Sequence, residues 1–311
     1  MADVDDRGQI ILITGLAIAV TMVALVLVLN TVIYTENLAT RNTGVGERDA
    51  IEYRNAAIEG VGGLVDRENA AEYASDAEVE AAVESGVRRL ADLLARDRVA
   101  SGAIAELRVE TTWEGDLVRQ TDTDREMTAA DGSESWALAG NVEEVRGFAL
   151  TVEDDDLSGS SPADAFTVVA DDGDDRWRAA VYDDGGVTVA VRNASQGDWT
   201  EGVCSDATGE TTTIDLTAGA VNGESCSALA FGEGVGESYD LRYENGGAAV
   251  GTYDLTVNTS GDAEIDGSNF DAPGSSPYVV DAVYGLELSV RYERARLAFA
   301  DRLRVAPGES R

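Results

Sequence analysis

The sequence predicts an α+β protein: an N-terminal transmembrane helix over 9–35, a helical stalk over 36–102, and a mainly antiparallel β domain, sandwich or barrel, over 103–311. Three observations predict it. No charged residue occurs from Gly8 through Thr35, apolar residues then recur every three to four positions to about residue 94, and from about Ala103 the apolar period drops to two.

Ile10 to Ile33 is interrupted only by Thr14, Gly15, Thr21, Asn30 and Thr31. At about 1.5 Å per residue, a helix of this length crosses a hydrocarbon core of about 30 Å. A secretory apolar region is shorter, about 7 to 15 residues, and cutting at Ala17-Ile18-Ala19 would leave a long apolar stub. The run therefore reads as a retained anchor.

In the stalk, residues 47–68 put Ile51, Ile58, Val61, Leu64 and Val65 near one face, with a bend or break expected at Gly60, Gly62 and Gly63. Ser75-x-x-Glu78 is a capping-box signature opening a second helix, whose Val79, Val83, Val87, Leu90 and Leu94 form a stripe. Such a stripe serves core packing or a partner helix.

The alternating segments follow. Ala105, Leu107, Val109, Thr111 and Trp113 share one parity, as do Phe148, Leu150 and Val152. Trp177, Ala179 and Val181 lead through Asp183-Asp184-Gly185-Gly186 into Val187, Val189 and Val191, which reads as a hairpin. Tyr239, Leu241 and Tyr243 approach Asn245-Gly246-Gly247, and Tyr253, Leu255 and Val257 leave it, so these two are also expected to be hairpin mates. Tyr278 to Tyr292 keeps one parity and Leu297 to Val305 the other, placing a turn or bulge near Glu293 and Arg294. Residues 290–305 can alternatively be drawn as a helix.

Charge is the compositional anomaly. There are 59 Asp plus Glu against 23 basic residues, all of them Arg, for a formal net charge of -36. Self-repulsion on that scale is tolerable mainly where concentrated salt cuts the Debye length to about 3 Å. No basic stripe exists to neutralise phosphates, which argues against nucleic acid as a partner.

Residue types also exclude chemistry. The chain has no His and no Lys, which removes His-based triads, nearly all zinc sites, Schiff bases and the phosphate-loop lysine. Gly232-Glu233-Gly234-Val235-Gly236 would repel phosphate through Glu233 and Glu237. A carboxylate pair could hydrolyse glycosides, but nothing marks one, so no catalytic residue and no cofactor are assigned. Asp262-Ala263-Glu264-Ile265-Asp266-Gly267 spaces its acids like a calcium loop yet carries Pro273 where a bidentate Glu is needed, so no metal is assigned. Asp171, Asp172, Asp174 and Asp175 read as a solvated turn.

Cys204 and Cys226 suggest a disulfide in an exported domain, with two buried thiols as the alternative. Asn193-Ala194-Ser195 and Asn258-Thr259-Ser260 are glycosylation sequons. Arg7 on one side of the run against Arg41 and Arg48 on the other leans against a cytoplasmic N-terminus. The short tail, the cysteines and the sequons favour one, with the bulk of the chain extracellular and a single pass through the cell membrane.

The tail ending in Arg7-Gly8, followed by Gln9 and the apolar run, resembles the N-terminus of archaeal type IV prepilins and pseudopilins, and the composition resembles that of haloarchaeal proteins. TENLATR (Thr35 to Arg41) and RVAPGE (Arg304 to Glu309) extend the likeness to an uncharacterised haloarchaeal group of single-pass, pilin-like surface proteins. The resemblance implies cleavage between Gly8 and Gln9, a prepilin peptidase and other pilin-like subunits as partners, and a role as a minor pilin or pseudopilin. Ile13 stands where many type IV pilins have Glu, which shifts weight toward a minor subunit or a signal-anchored module that binds an envelope component.

Overall fold

A computed structural model describes Met22 and residues 47–309 apart from 194–197 and 207–208. Within residues 47–309, two antiparallel helices come first, α1 over residues 47–69 and α2 over Asp76–Ala100. Ala50, Tyr53, Ala57, Val61, Leu64 and Val65 of α1 are buried with Val79, Val83 and Val87 of α2. The break expected at the α1 glycines does not occur. A Cβ on Gly60 would lie 2.8 Å from Leu90, and one on Gly86 2.6 Å from Leu64, so each of these glycines admits a leucine from the other helix. Ile51, expected on the buried face, is exposed, because the packed stripe is set one residue earlier by Ala50, Tyr53 and Ala57. The capping box is also redrawn: the Ser75 side chain caps nothing, while Glu78 accepts from the Ala74 N–H at 3.3 Å.

Among the described residues, fourteen strands follow in two antiparallel sheets. They are β1 (Ile104–Gln120), β2 (Trp136–Val142), β3 (Val145–Glu153), β4 (Phe166–Asp171), β5 (Arg176–Asp183), β6 (Val187–Arg192) and β7 (Thr200–Asp206), then β8 (Thr211–Asp215), β9 (Ala220–Val221), β10 (Glu224–Ser225), β11 (Tyr239–Glu244), β12 (Gly251–Asn258), β13 (Tyr278–Arg294) and β14 (Leu297–Val305). One sheet runs β10-β9-β8-β3-β12-β1-β13-β14 and the other β2-β11-β4-β5-β6-β7.

The β5–β6 hairpin forms where Asp183 to Gly186 turn the chain. Tyr239 to Val257 is not a hairpin. β11 pairs with β2 and β4, whereas β12 pairs with β1 and β3, so the Asn-Gly-Gly segment carries the chain from one sheet to the other. Asn245 is left-handed at φ 56°, and a Cβ on Gly246 would collide with the Met127 carbonyl. Tyr243 and Tyr253 meet edge-on at 5.2 Å, one from each sheet. Residues 290–305 are strand, not helix, with β13 and β14 paired around a turn after Arg294.

The two 17-residue strands, β1 and β13, serve two cores. Near one end, Ala105, Leu107, Leu286, Leu288, Val290 and Tyr292 pack under the helices, which therefore lie against the sheet. Near the other, Val118 enters a larger core filled from both sheets, including Phe148, Leu150, Phe166, Trp177, Tyr243 and Tyr253. Between these ends the register slips twice, with Glu110 the extra residue on β1 and Tyr284 the extra one on β13. Bulges increase local twist, which suits strands that pass from one packing environment to another.

Candidate functional site

After β14 the chain turns through Ala306, Pro307 and Gly308, and Glu309 bridges to Arg146 of β3, with the Gly147 N–H donating to the Gly308 carbonyl at 2.8 Å. The path β3-β12-β1-β13-β14 thus returns to β3, curling this sheet into a half-barrel. Arg146 sits at the junction, its side chain 4% exposed. It donates to Asp66 of α1 at 2.9 Å, to the Pro307 carbonyl at 3.0 Å and to the Val283 carbonyl at 3.1 Å. Burial pulls its pKa down, and the Asp66 charge opposes that shift.

β14 stops opposite Leu286, leaving the β13 backbone open beyond it. The Asn69 side chain takes a strand's place there, donating to the Val283 carbonyl and accepting from its N–H, both at 2.9 Å. Tyr284 donates to Glu309 at 2.8 Å. Burial, then this hydrogen bond, raises the phenol well above its usual range. Arg304 binds Glu309 and Glu144, both at 2.6 Å, and lies 4.5 Å over the Trp113 ring. The Glu309 hydrogen bond leads the upward shift of its pKa.

Beside this junction lies a groove of about 1160 Å³, walled by α1 at Ile58, Gly62 and Gly63, by Leu229 and Phe231, and by the segment Val305 to Glu309. Four acids line it, Glu59, Asp66, Glu233 and Glu309; Asp66 and Glu309 are engaged by Arg146, Arg304 and Tyr284, and Glu233 accepts from Asn193. The arrangement binds elements together and presents a mixed apolar and polar wall.

Among the described residues, none of the sequence-predicted site residues lines this groove, although Asn193 touches its Glu233. Gly8, Gln9 and nearly all of 9–35 lie outside the described residues, and among those described no helix is long and apolar enough to cross a membrane. Cys204 and Cys226 form a disulfide, with Cα atoms 5.9 Å apart. It joins β7, the last strand of one sheet, to the residue after β10, the first of the other. Asn193 donates to Glu233. Asn258 is half-buried and spends its amide on Glu144 at 2.7 Å, a bond that a glycan there would replace.

Asp266 accepts from the Ser268 N–H and hydroxyl, and Glu264 is bridged through its backbone to Gly140. Among the described residues no three His, Cys, Asp or Glu side chains converge to hold a metal. The acidic turn after β4 is more than solvated: Asp171 binds Arg176 at 2.6 Å and Arg242 at 2.5 Å, and Asp172 accepts from the Gly236 N–H at 2.6 Å. Sequence reasoning passed over Arg146, Asn69 and Asp66. They carry no local motif, because each acts on a backbone far away in the chain.

Residues 4–129 match a family of unknown function (DUF7261). No curated protein matches the chain. No solved structure matches it either.

Proposed function

We propose that this chain is a membrane-anchored, pilin-like structural or assembly subunit of a haloarchaeal cell surface, a minor pilin or pseudopilin, with residues 1–8 as a cytoplasmic leader and the bulk of the chain extracellular. The observation that carries the reading is the uncharged run of residues 8–35, which ends eleven residues upstream of a helix packed onto the β domain. A helix bearing Gly, Ala and Thr can pack closely against copies of itself in lipid or in a shaft. The family match supports taking run, helices and first strand together, since it begins at residue 4 and ends beyond β1. The role is not enzymatic.

The groove and Ile13 favour a second reading, a signal-anchored module that binds an envelope component. Maturation separates the two. The intact mass of the protein from its native membrane is expected to correspond to a chain beginning at Gln9. Molecules that retain Met1 or Ala2 would remove the prepilin reading and leave the anchored module.

A further inference from the structure

The charge is not spread evenly over the fold. The first turns of α1, the last turns of α2, the start of β1, the end of β13 and the start of β14 meet at one pole: Ile104 is opposite Glu293, and Arg294 binds Asp49 at 2.6 Å and the Ser101 carbonyl at 2.7 Å. Residues 47–59, 84–110 and 287–302, which build this pole, hold 11 of the 23 Arg against only 12 of the 59 Asp plus Glu. The pole is nearly neutral, and almost the whole of the -36 belongs to the rest of the chain.

Two more features coincide there. Five large hydrophobic side chains are exposed among the described residues; Met22 lies in the apolar run, and Ile51, Leu93, Val99 and Ile104 all lie on this pole. Arg48, Arg96 and Arg296 are exposed beside them, and no hydrogen bond or ion pair engages these three among the described residues. Unpaired guanidiniums next to exposed aliphatic side chains suit a phosphate-bearing interface, where Arg reaches headgroups over its own apolar stem.

From these coincidences we infer that this pole docks on the surface of the bilayer, with Arg48, Arg96 and Arg296 on lipid phosphates and Val99, Ile51 and Ile104 at the headgroup boundary. The inference rests on the anchored reading above. The length of chain upstream selects a bilayer over a second copy: eleven residues separate the apolar run from Glu47, a reach of about 16 Å if helical and about 40 Å at full extension. The acidic remainder of the head is repelled by anionic lipid, so the nearly neutral pole is the one that can approach it.

The test uses the full chain in phosphatidylglycerol vesicles containing a lipid-borne quencher. A fluorophore is placed at Val99→Cys or, as a control on the β4–β5 turn, at Asp174→Cys; the native cysteines are bonded to each other and stay unlabelled. Quenching several-fold stronger at Val99 than at Asp174, in chains that float with vesicles after alkaline carbonate, is the expected result. The triple variant R48Q/R96Q/R296Q is expected to float as well but to lose most of that difference. Equal, weak quenching in chains that still float overturns the docking while leaving the anchor intact. Failure to float overturns the anchor and the docking with it. A Val99 signal that changes on dilution with unlabelled chain, rather than with the lipid quencher, assigns the pole to a second copy and overturns the inference.

Discussion

The helix-covered half of β1 and β13 and the half that faces the second sheet differ in their ring content and in their charge. Under the helices the core is largely Val, Leu and Ala with one tilted ring pair, Tyr53 and Tyr292, and the pole that ends this half is nearly neutral. Between the sheets the core is also mainly aliphatic but adds two chains of edge-on rings, Trp136, Phe166, Tyr243, Tyr253 and Phe270 in one and Phe148, Trp177, Phe231 and Tyr239 in the other. That body carries most of the acid. Large rings bury more area per residue than aliphatic chains, so the half with the stronger self-repulsion also has the heavier core. Arg146, Asn69 and the segment 306–309 fasten the two halves together.

The contrast is broken most severely through its heaviest side chain. Trp177→Ala is expected to cost about 3–5 kcal/mol by emptying a fully buried ring site, whereas Val83→Ala in the helix core should cost about 1–3; chemical denaturation of both variants checks the ratio. Next comes the fastening. Arg146→Met leaves the Val283 and Pro307 carbonyls without this donor and Asp66 without its cation, an expected loss of about 2–4 kcal/mol. Its distinguishing sign is a helix signal that melts before the sheet signal. A single unchanged transition would mean that Arg146 does not couple the halves.

Breaking the disulfide with Cys204→Ser and Cys226→Ser should remove about 3 kcal/mol, felt first in hydrogen exchange at the edges it joins, β7 and β10. Lowering salt from molar to about 0.1 M stretches the Debye length from about 3 to about 10 Å, and exchange is expected to rise in the two-sheet body more than in α1 and α2. Uniform loss across both would mean that the uneven charge has no energetic consequence.

The smallest effect lies where the halves meet. Asp116 and Asp281 face each other across β1 and β13, and burial, then the Asp281 charge, pushes Asp116 up to about 6 from an ordinary 3.8. Because the folded value is the higher one, the protonated form is favoured in the fold. The contribution is full below pH 3.8 and is lost as pH rises through about 6. Solvent screening leaves about 1–2 kcal/mol. Asp76 shifts the same way, mainly through burial. Asp116→Asn should flatten that part of the stability–pH curve, as thermal melts at pH 4 and pH 7 would show.

Local chemistry made some of the fold legible before any coordinates. Asp183 to Gly186 supply a turn with three alternating apolar residues on either side, which suffices for the β5–β6 hairpin. The same kind of signal misled at Asn245-Gly246-Gly247, because a left-handed Asn followed by Gly serves equally well to cross between sheets, and only the contact with Met127 selects the crossing. Gly60, Gly62 and Gly63 of α1 read as breakers until Leu90 is seen against Gly60, and Pro307 and Val305 beside Gly62. The junction was the least legible part. Arg146 meets Asp66, Val283 and Pro307 across separations of 80, 137 and 161 residues, and no periodicity records such a meeting. RVAPGE carries no structural signal of its own in the sequence, although it supplies Arg304, Pro307 and Glu309.

Membrane attachment with the head outside underlies both functional readings, and protease added to intact cells tests it most directly. The prediction is that fragments from residues 47–309 are released while an N-terminal fragment containing the apolar run stays in the membrane pellet. A head untouched until the cells are lysed, or a chain recovered whole in the soluble fraction, would contradict it.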